Sequence, residues 1–287
     1  NQRIIGDQGM ELGVFFFATD YSIDIAELAV ELEQRGFTTL LQPEHTHIPV
    51  SRKTEWPGGG DLPREYYCTY DPFVALSFAA AATKTLKIGT GICLLPQRDP
   101  IVTAKNIASI DKLSGGRFVF GIGGGWNLDE MENHGVEHKS RFRQMREHVV
   151  AMKQLWTEET GEFHGEFVNF DPAYAEPKPT QRPHPPIILG GETDYTLKRV
   201  VEYCDGWLPR GRGGFDPAES KQRLTAMAES ADRDPSSLTI TVFGAPADRV
   251  KLDKYQEAGI DCALLHMPTV DRDGCMKRLE EITPLVG

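Results

Sequence analysis

The chain alternates short, continuously apolar segments with amphipathic ones along almost its whole length. Residues 12–17 (LGVFFF) have strand length and are followed by a helical pattern over residues 22–35, with Ser22 as a candidate N-cap. Gly36 closes that helix and a second apolar strand, residues 38–42, begins at once. The unit then recurs: helix 72–83, strand 86–95, helix 100–113, strand 117–123, helix 141–156, strand 187–190, helix 194–204 and strand 206–209. Helix 217–231, strand 238–243, helix 248–258, strand 262–266 and helix 272–282 complete the series. Strands that are apolar on both faces must be covered on both faces, which a parallel sheet under helices achieves. About eight such units in one chain favour a closed (β/α)8 barrel over an open doubly wound sheet.

Length fits this reading, because 287 residues exceed the ~250 that such barrels commonly use as one domain. Residues 1–9 are polar and aperiodic and read as a leader or tag remnant, leaving 10–287 as a single barrel domain. Two stretches break the rhythm. Residues 43–71 form a long loop after the second strand, containing Trp56 and the pair Tyr66, Tyr67. Residues 157–186 form an insertion before the fifth strand, with a strand-like run at 166–170 and several prolines. Loops of that length in a compact domain usually serve function, so both are expected to shield the site from water.

The formal net charge of −11 disfavours nucleic acid and anionic membrane as partners. Five cysteines without a C-x-x-C pair argue against a disulfide framework and a zinc site. His134 and His138 have a helical spacing but lack a third ligand. No apolar run approaches the ~20 residues of a membrane span, and the expected location is the cytoplasm.

Barrels carry their binding groups at the C-terminal strand ends. That rule selects Gln42, Glu44 and His45 after the second strand, Gly91, Ile92 and Cys93 after the third, and Gly123, Gly124, Gly125 and Trp126 after the fourth. It selects Gly190, Gly191 and Glu192 after the fifth, Arg210 after the sixth and His266 after the last. Glycines let a flat ligand approach the backbone, and Gly190-Gly191 before a helix start can hold a phosphate. An imidazole at the mouth, His45, can hydrogen-bond a ring carbonyl or move a proton. Plain packing and turn roles remain the alternative for each of these positions.

The stretch PIVTAKNIASIDKLSGGRFVFGIGGGWNLDEMENHGV, the helix RFRQMREHVVAMKQLW and the block PPIILGGETDYTLKRVVEYCDGWLP resemble the luciferase-like flavin and deazaflavin oxidoreductases. The helix 141–156 and the DGWLP segment resemble the branch that uses coenzyme F420. The resemblance implies an F420-dependent enzyme that exchanges hydride with a small organic substrate, and a homodimer. It implies a non-proline cis bond at Gly91–Ile92 behind the ring, with Cys93 next to it. His45 would lie at the ring edge as the catalytic residue, with Gln42 beside it. Gly123, Gly125 and Asn127 would line the ring and its side chain, and Gly190, Gly191 and Glu192 would hold the phosphate. Gly124 stands where sugar-phosphate dehydrogenases of the family place a glutamate, and their tryptophan after the histidine is missing near Pro49, which argues against a sugar phosphate. Two other readings share the barrel: an FMN-dependent monooxygenase using reduced flavin and oxygen, and a ligand-binding barrel without catalysis.

Overall fold

The computed structural model describes residues 9–50, 53–212 and 214–287. Residues 1–8, most of the expected leader, lie outside the described residues. The first half of the chain comprises β1 (Glu11–Phe15), α1 (Ile25–Gln34), β2 (Thr39–Gln42), α2 (Glu65–Cys68), α3 (Pro72–Ala82), β3 (Lys87–Leu94), α4 (Pro100–Ser114), β4 (Phe118–Gly123), α5 (Leu128–Asn133) and α6 (Arg141–Thr157). The second comprises β5 (Thr160–His164), β6 (Asn169–Tyr174), β7 (Ile187–Gly190), α7 (Asp194–Tyr203), β8 (Gly206–Leu208), α8 (Pro217–Glu229), β9 (Thr239–Phe243), α9 (Arg249–Glu257), β10 (Cys262–His266) and α10 (Arg272–Ile282).

Eight of these strands close a parallel barrel in the order β1-β10-β9-β8-β7-β4-β3-β2. Period-two alternation sorts their side chains into two apolar bodies. Phe15, Leu41, Ile188, Leu208, Cys262 and Leu264 pack with one another inside the barrel. Val14, Leu40, Ile88, Phe120, Leu189 and Val242 point outward and join the helices in the larger core. Both faces of each strand are thereby covered, which is why the strands read as unbroken apolar runs.

Aspartates start most of the helices. Asp24, Asp71, Asp99, Asp216, Asp248 and Asp271 each accept a hydrogen bond from the backbone of the first turn. The expected cap Ser22 lies two residues too early. It instead accepts from Thr19 N, and Asp24 receives Ala26 N and Glu27 N at 2.9 and 3.1 Å.

The insertion before β7 is an antiparallel hairpin of β5 and β6. The strand-like run at 166–170 mostly falls in its turn, and the second strand lies further on. Glu147 of α6 fixes the turn by accepting from the backbone of Glu166, Phe167 and Val168 at 3.0, 2.7 and 3.1 Å. The descending chain is held by Asp111 at the end of α4, which receives Thr180 N and Gln181 N at 2.7 and 3.0 Å. These contacts brace the insertion along α6 and α4.

Glu33 offers a pH-sensitive clamp at the opposite end. Its carboxylate receives the amides of Lys84, Thr85 and Leu86 at 2.8, 2.5 and 2.9 Å. Burial opposes its ionisation, but the three amides and the Thr85 hydroxyl outweigh that and pull the pKa down to about 2. A depressed carboxylate pKa contributes stability above the unfolded value, lost as pH falls through the folded one. Glu33→Ala is therefore expected to lower Tm by about 2–6 °C at pH 7. In thermal melts the gap between wild type and variant should shrink as pH falls from 4.5 to about 2.

Candidate active site

The tips of β3, β4 and β7 converge on one side chain. The Gly91–Ile92 peptide is cis, as the resemblance implied, and the β3–β4 register shifts there, between Thr90 and Cys93. A Cβ at Gly123 would lie 2.6 Å from Ile92 Cδ1, and one at Gly190 would lie 3.2 Å from Ile92 Cγ2. Gly91, Ile92, Gly123 and Gly190 are thus brought together at one mouth. The geometry also says what these glycines are for. At Gly123 the missing Cβ makes room for Ile92, and at Gly124 for the Phe142 ring, 2.7 Å away. Gly125 and Gly191 instead need backbone angles with φ of +77° and +128°.

His45, three residues beyond the end of β2, is buried among the loops that follow β2 and β4. Its Nδ1 lies 2.8 Å from Glu130 Oε2, and its Nε2 accepts from the Trp126 indole N–H at 3.3 Å. An indole nitrogen can only donate, so Nε2 holds the lone pair and Nδ1 carries the hydrogen toward Glu130. Glu130 also receives Thr46 N at 3.2 Å. Its side chain is fully buried, so both its oxygens are held by the histidine and its neighbour.

Neither Glu130 nor Trp126 was expected at His45. Both come from the segment after β4, where the sequence reads N-L-D-E. That spelling is the signature of a capping box, in which Asn127 caps and Glu130 reaches back to the cap's own N–H. Half of it is realised: Asn127 Oδ1 receives Asp129 N and Glu130 N at 3.2 and 3.3 Å and starts α5. Glu130 is diverted across the mouth to His45 instead. Gly124 and Pro49 stand as the sequence has them, and the carboxylate and indole that meet His45 come from α5 and its approach.

From the loop 43–71, Tyr66 packs beside His45. Tyr66 lies 5.3 Å from the His45 ring, 4.9 Å from Phe17 and 5.7 Å from Trp56, centroid to centroid. Burial raises the Tyr66 pKa, so this phenol stays neutral. Phe15, Phe243 and His266 lie at the tips of β1, β9 and β10, with Phe15 stacked on Phe243 at 3.8 Å and 5.1 Å from His266. His266 was noted at the last strand end and given no role.

Other expected residues are placed differently. Cys93 is fully buried with the helix-side core, and burial pushes its thiol pKa well up. Its side chain is withdrawn from the mouth. Gln42 uses its amide N–H to hold the returning loop at Tyr70 O, 2.9 Å away. Glu192 turns to the tip of β8, where its two oxygens meet Arg210 Nε and a terminal nitrogen at 2.6 and 2.8 Å. Burial works against its charge, but Arg210 prevails and lowers its pKa.

Several buried polar atoms here have no partner among the described residues: Gln42 Oε1, both amide atoms of Gln97, and Asn127 Nδ2. The Gln97 amide reaches to 3.5 Å of the Cβ position of Gly125. Unsatisfied buried amides are costly, so a polar ligand able to reach them would be stabilised by supplying the missing bonds.

Known proteins resemble this chain over most of its length. The family model described as luciferase-like monooxygenase matches residues 10–258. The chain belongs to that family. An uncharacterised protein of Mycobacterium tuberculosis is 38% identical over 279 residues, 95% of this chain and 97% of that one. An FMNH2-dependent dimethylsulfone monooxygenase of Pseudomonas putida is 39% identical over 134 residues, 46% of this chain and 37% of its own length. Among solved structures, an F420-dependent secondary alcohol dehydrogenase with an F420-acetone adduct superposes with TM-score 0.74. Its identity is 17%, with 98% of this chain and 100% of that chain covered.

Glu130→Gln keeps the shape of the side chain and removes the charge that orients the imidazole. It is expected to reduce kcat by about 10- to 100-fold while leaving ligand affinity within about twofold. Steady-state kinetics alongside binding titration would separate the two.

Proposed function

We propose that this luciferase-like chain is an F420-dependent oxidoreductase that exchanges hydride with a small alcohol or carbonyl compound. The observation that carries the reading is the His45–Glu130 pair at the convergence of the strand tips. Removing hydride from an alcohol carbon leaves a hydroxyl proton that must depart in the same reaction. A neutral imidazole whose lone pair is held only by a long indole hydrogen bond, with a carboxylate behind it, is suited to take that proton.

The residues fit the deazaflavin in a specific way. His45, Asn127 and Gln42 would border the ring, with Gly91–Ile92 behind it and the backbone of Gly123, Gly125, Gly190 and Gly191 around the rest. When bound, the deazaflavin supplies a ring carbon that accepts or returns hydride. His45 Nε2 takes the substrate O–H proton during oxidation, displacing the Trp126 indole as its partner. Nδ1–H stays on Glu130, whose charge stabilises the imidazolium that forms. In reduction the same nitrogen returns the proton to the carbonyl oxygen. Tyr66 and Trp56 exclude water from this exchange.

The similarity to the P. putida enzyme favours a second reading, in which reduced FMN and oxygen are used. Fluorescence titration with F420, FMN and FAD separates them. F420 should bind in the micromolar range or tighter, and tight FMN binding without F420 affinity would overturn the choice. His45→Ala should cut turnover by about 100-fold or more with F420 still bound, and unchanged turnover would remove the proton role.

The assembly proposed is a homodimer through α3 and α4. The eleven residues of α3, PFVALSFAAAA, contain no charge, and a helix apolar all round is normally buried. Yet Val74 and Phe78 on α3 and Ile101 and Val102 on α4 are exposed by 60, 62, 47 and 59%. A second copy presenting the same stripe would cover them. Phe78→Asp should convert the dimer to monomer in light-scattering chromatography.

A further inference from the structure

The two histidines with helical spacing are not the pair that the fold brings together. His138 lies in the turn that leads to α6. His134, just past the end of α5, instead meets His47 of the loop after β2, with ring centroids 5.4 Å apart and planes inclined by 55°. Both imidazoles are aimed at one atom. Thr46 Oγ1 lies 2.9 Å from His47 Nδ1 and 2.7 Å from His134 Nε2. His134 is exposed and His47 half-buried, so the group is open to solvent.

Nitrogens directed at a common point are what a metal ion requires. Two imidazoles on one tetrahedral zinc, each bound at ~2.1 Å, place their ring centres ~5.2 Å apart. The spacing found here is close to that. Ligand atoms around such an ion stand ~3.4 Å from one another, so the triangle of two nitrogens and a hydroxyl has to open by about 0.5–0.7 Å. Rotation of the exposed Thr46 side chain and small tilts of the rings supply that movement. Support for the far side of one ring is also in place. His47 Nε2 lies 2.9 Å from the Asn133 carboxamide. A ligating imidazole gives its remaining N–H to an oxygen, and a half-turn of the carboxamide presents one. The carboxylates of α5 have other partners: Glu130 is held by His45 and Thr46 N, and Asp129 and Glu132 by Lys53.

We infer that His47, His134 and the Thr46 hydroxyl form a site for a divalent cation of the zinc type, which staples the loop after β2 to the end of α5. Three protein ligands leave a fourth position for water. Two imidazole nitrogens favour zinc over magnesium, which prefers oxygen. Thr46 is also the neighbour of His45 and donates its amide to Glu130 at 3.2 Å. The ion therefore fixes the segment that sets His45 against Glu130. The site is independent of which ring the barrel mouth accepts.

The test is calorimetric titration of the full-length protein, freed of metal by chelation, with ZnCl2 and with MgCl2 as the control. One zinc per chain should bind in the micromolar range, and magnesium should give no binding. His47→Ala and His134→Ala should each weaken zinc binding more than about 10-fold, and Asn133→Leu about 10-fold. His138→Ala should leave it unchanged. Zinc at about ten times its Kd should raise the wild-type Tm by about 2–4 °C and leave both ligand variants unmoved. Melts without zinc show whether the variants are folded, since all of these side chains are at the surface and the metal-free Tm values should coincide. Absence of saturable zinc binding, unchanged binding in either ligand variant, or an equal loss in His138→Ala would overturn the site. These readouts need neither cofactor nor substrate, so they are decided separately from the F420 reading.

Discussion

The mouth of this barrel depends on one buried carboxylate, Glu44. Its oxygens receive the Leu94 amide at 2.7 Å and the Arg98 guanidinium Nε at 2.6 Å. Arg98 continues to Asp71 at 2.6 Å, the residue that caps α3. A single charge network therefore fixes the end of β2, the irregular end of β3 and the return of the loop 43–71. Removing one member of such a buried pair typically costs about 3–5 kcal/mol, because the other charge is left in the core without a partner. His45 is the next residue in the chain, so its position is inherited from that anchor. Burial of the backbone here is tolerated because the network pairs its amides.

Division of labour between adjacent residues runs through the site. Glu44 secures the strand ends, and His45 beside it is the residue to which the proton transfer is assigned in our proposal. Asn127 caps α5, and three residues later Glu130 is aimed at His45. Gly123 and Gly124 give up their side chains so that Ile92 and Phe142 can fill the space, while Gly125 and Gly191 give the turns their shape. Few atoms face the proposed chemistry, and the neighbouring residues hold them at hydrogen-bonding distance among aromatic rings. Low local polarity strengthens the His45–Glu130 bond for the same reason that it would penalise either group alone.

Where the sequence was legible, the signal was periodic or local. Every barrel strand and the longer helices between them appear as expected, including residues 187–190, 262–266 and 272–282 to the residue. Apolar periodicity reports burial directly, and burial on two faces is the defining property of these strands. Short elements were not legible. Both α2 and α5 span about one turn or slightly more, too short for a periodic pattern, and the hairpin of β5 and β6 is mostly exposed, so its strands lack the apolar mark. Ser22 was mistaken for a cap because Ser and Asp satisfy the same rule, and only the loop geometry chooses between them.

The sequence by itself determined the closed barrel, the family and the positions of the strand tips, since these follow from hydrophobic spacing and from contiguous motifs. It named His45 by its place after a strand. Only the tertiary structure decided which atoms meet there. Glu130 is 85 residues from His45, and Trp126 is 81 residues from it. No local propensity couples such pairs. Their partnership is created when barrel closure brings the loops after β2, β4 and β7 to one end, and the cost of burying charge then selects the contacts that satisfy it.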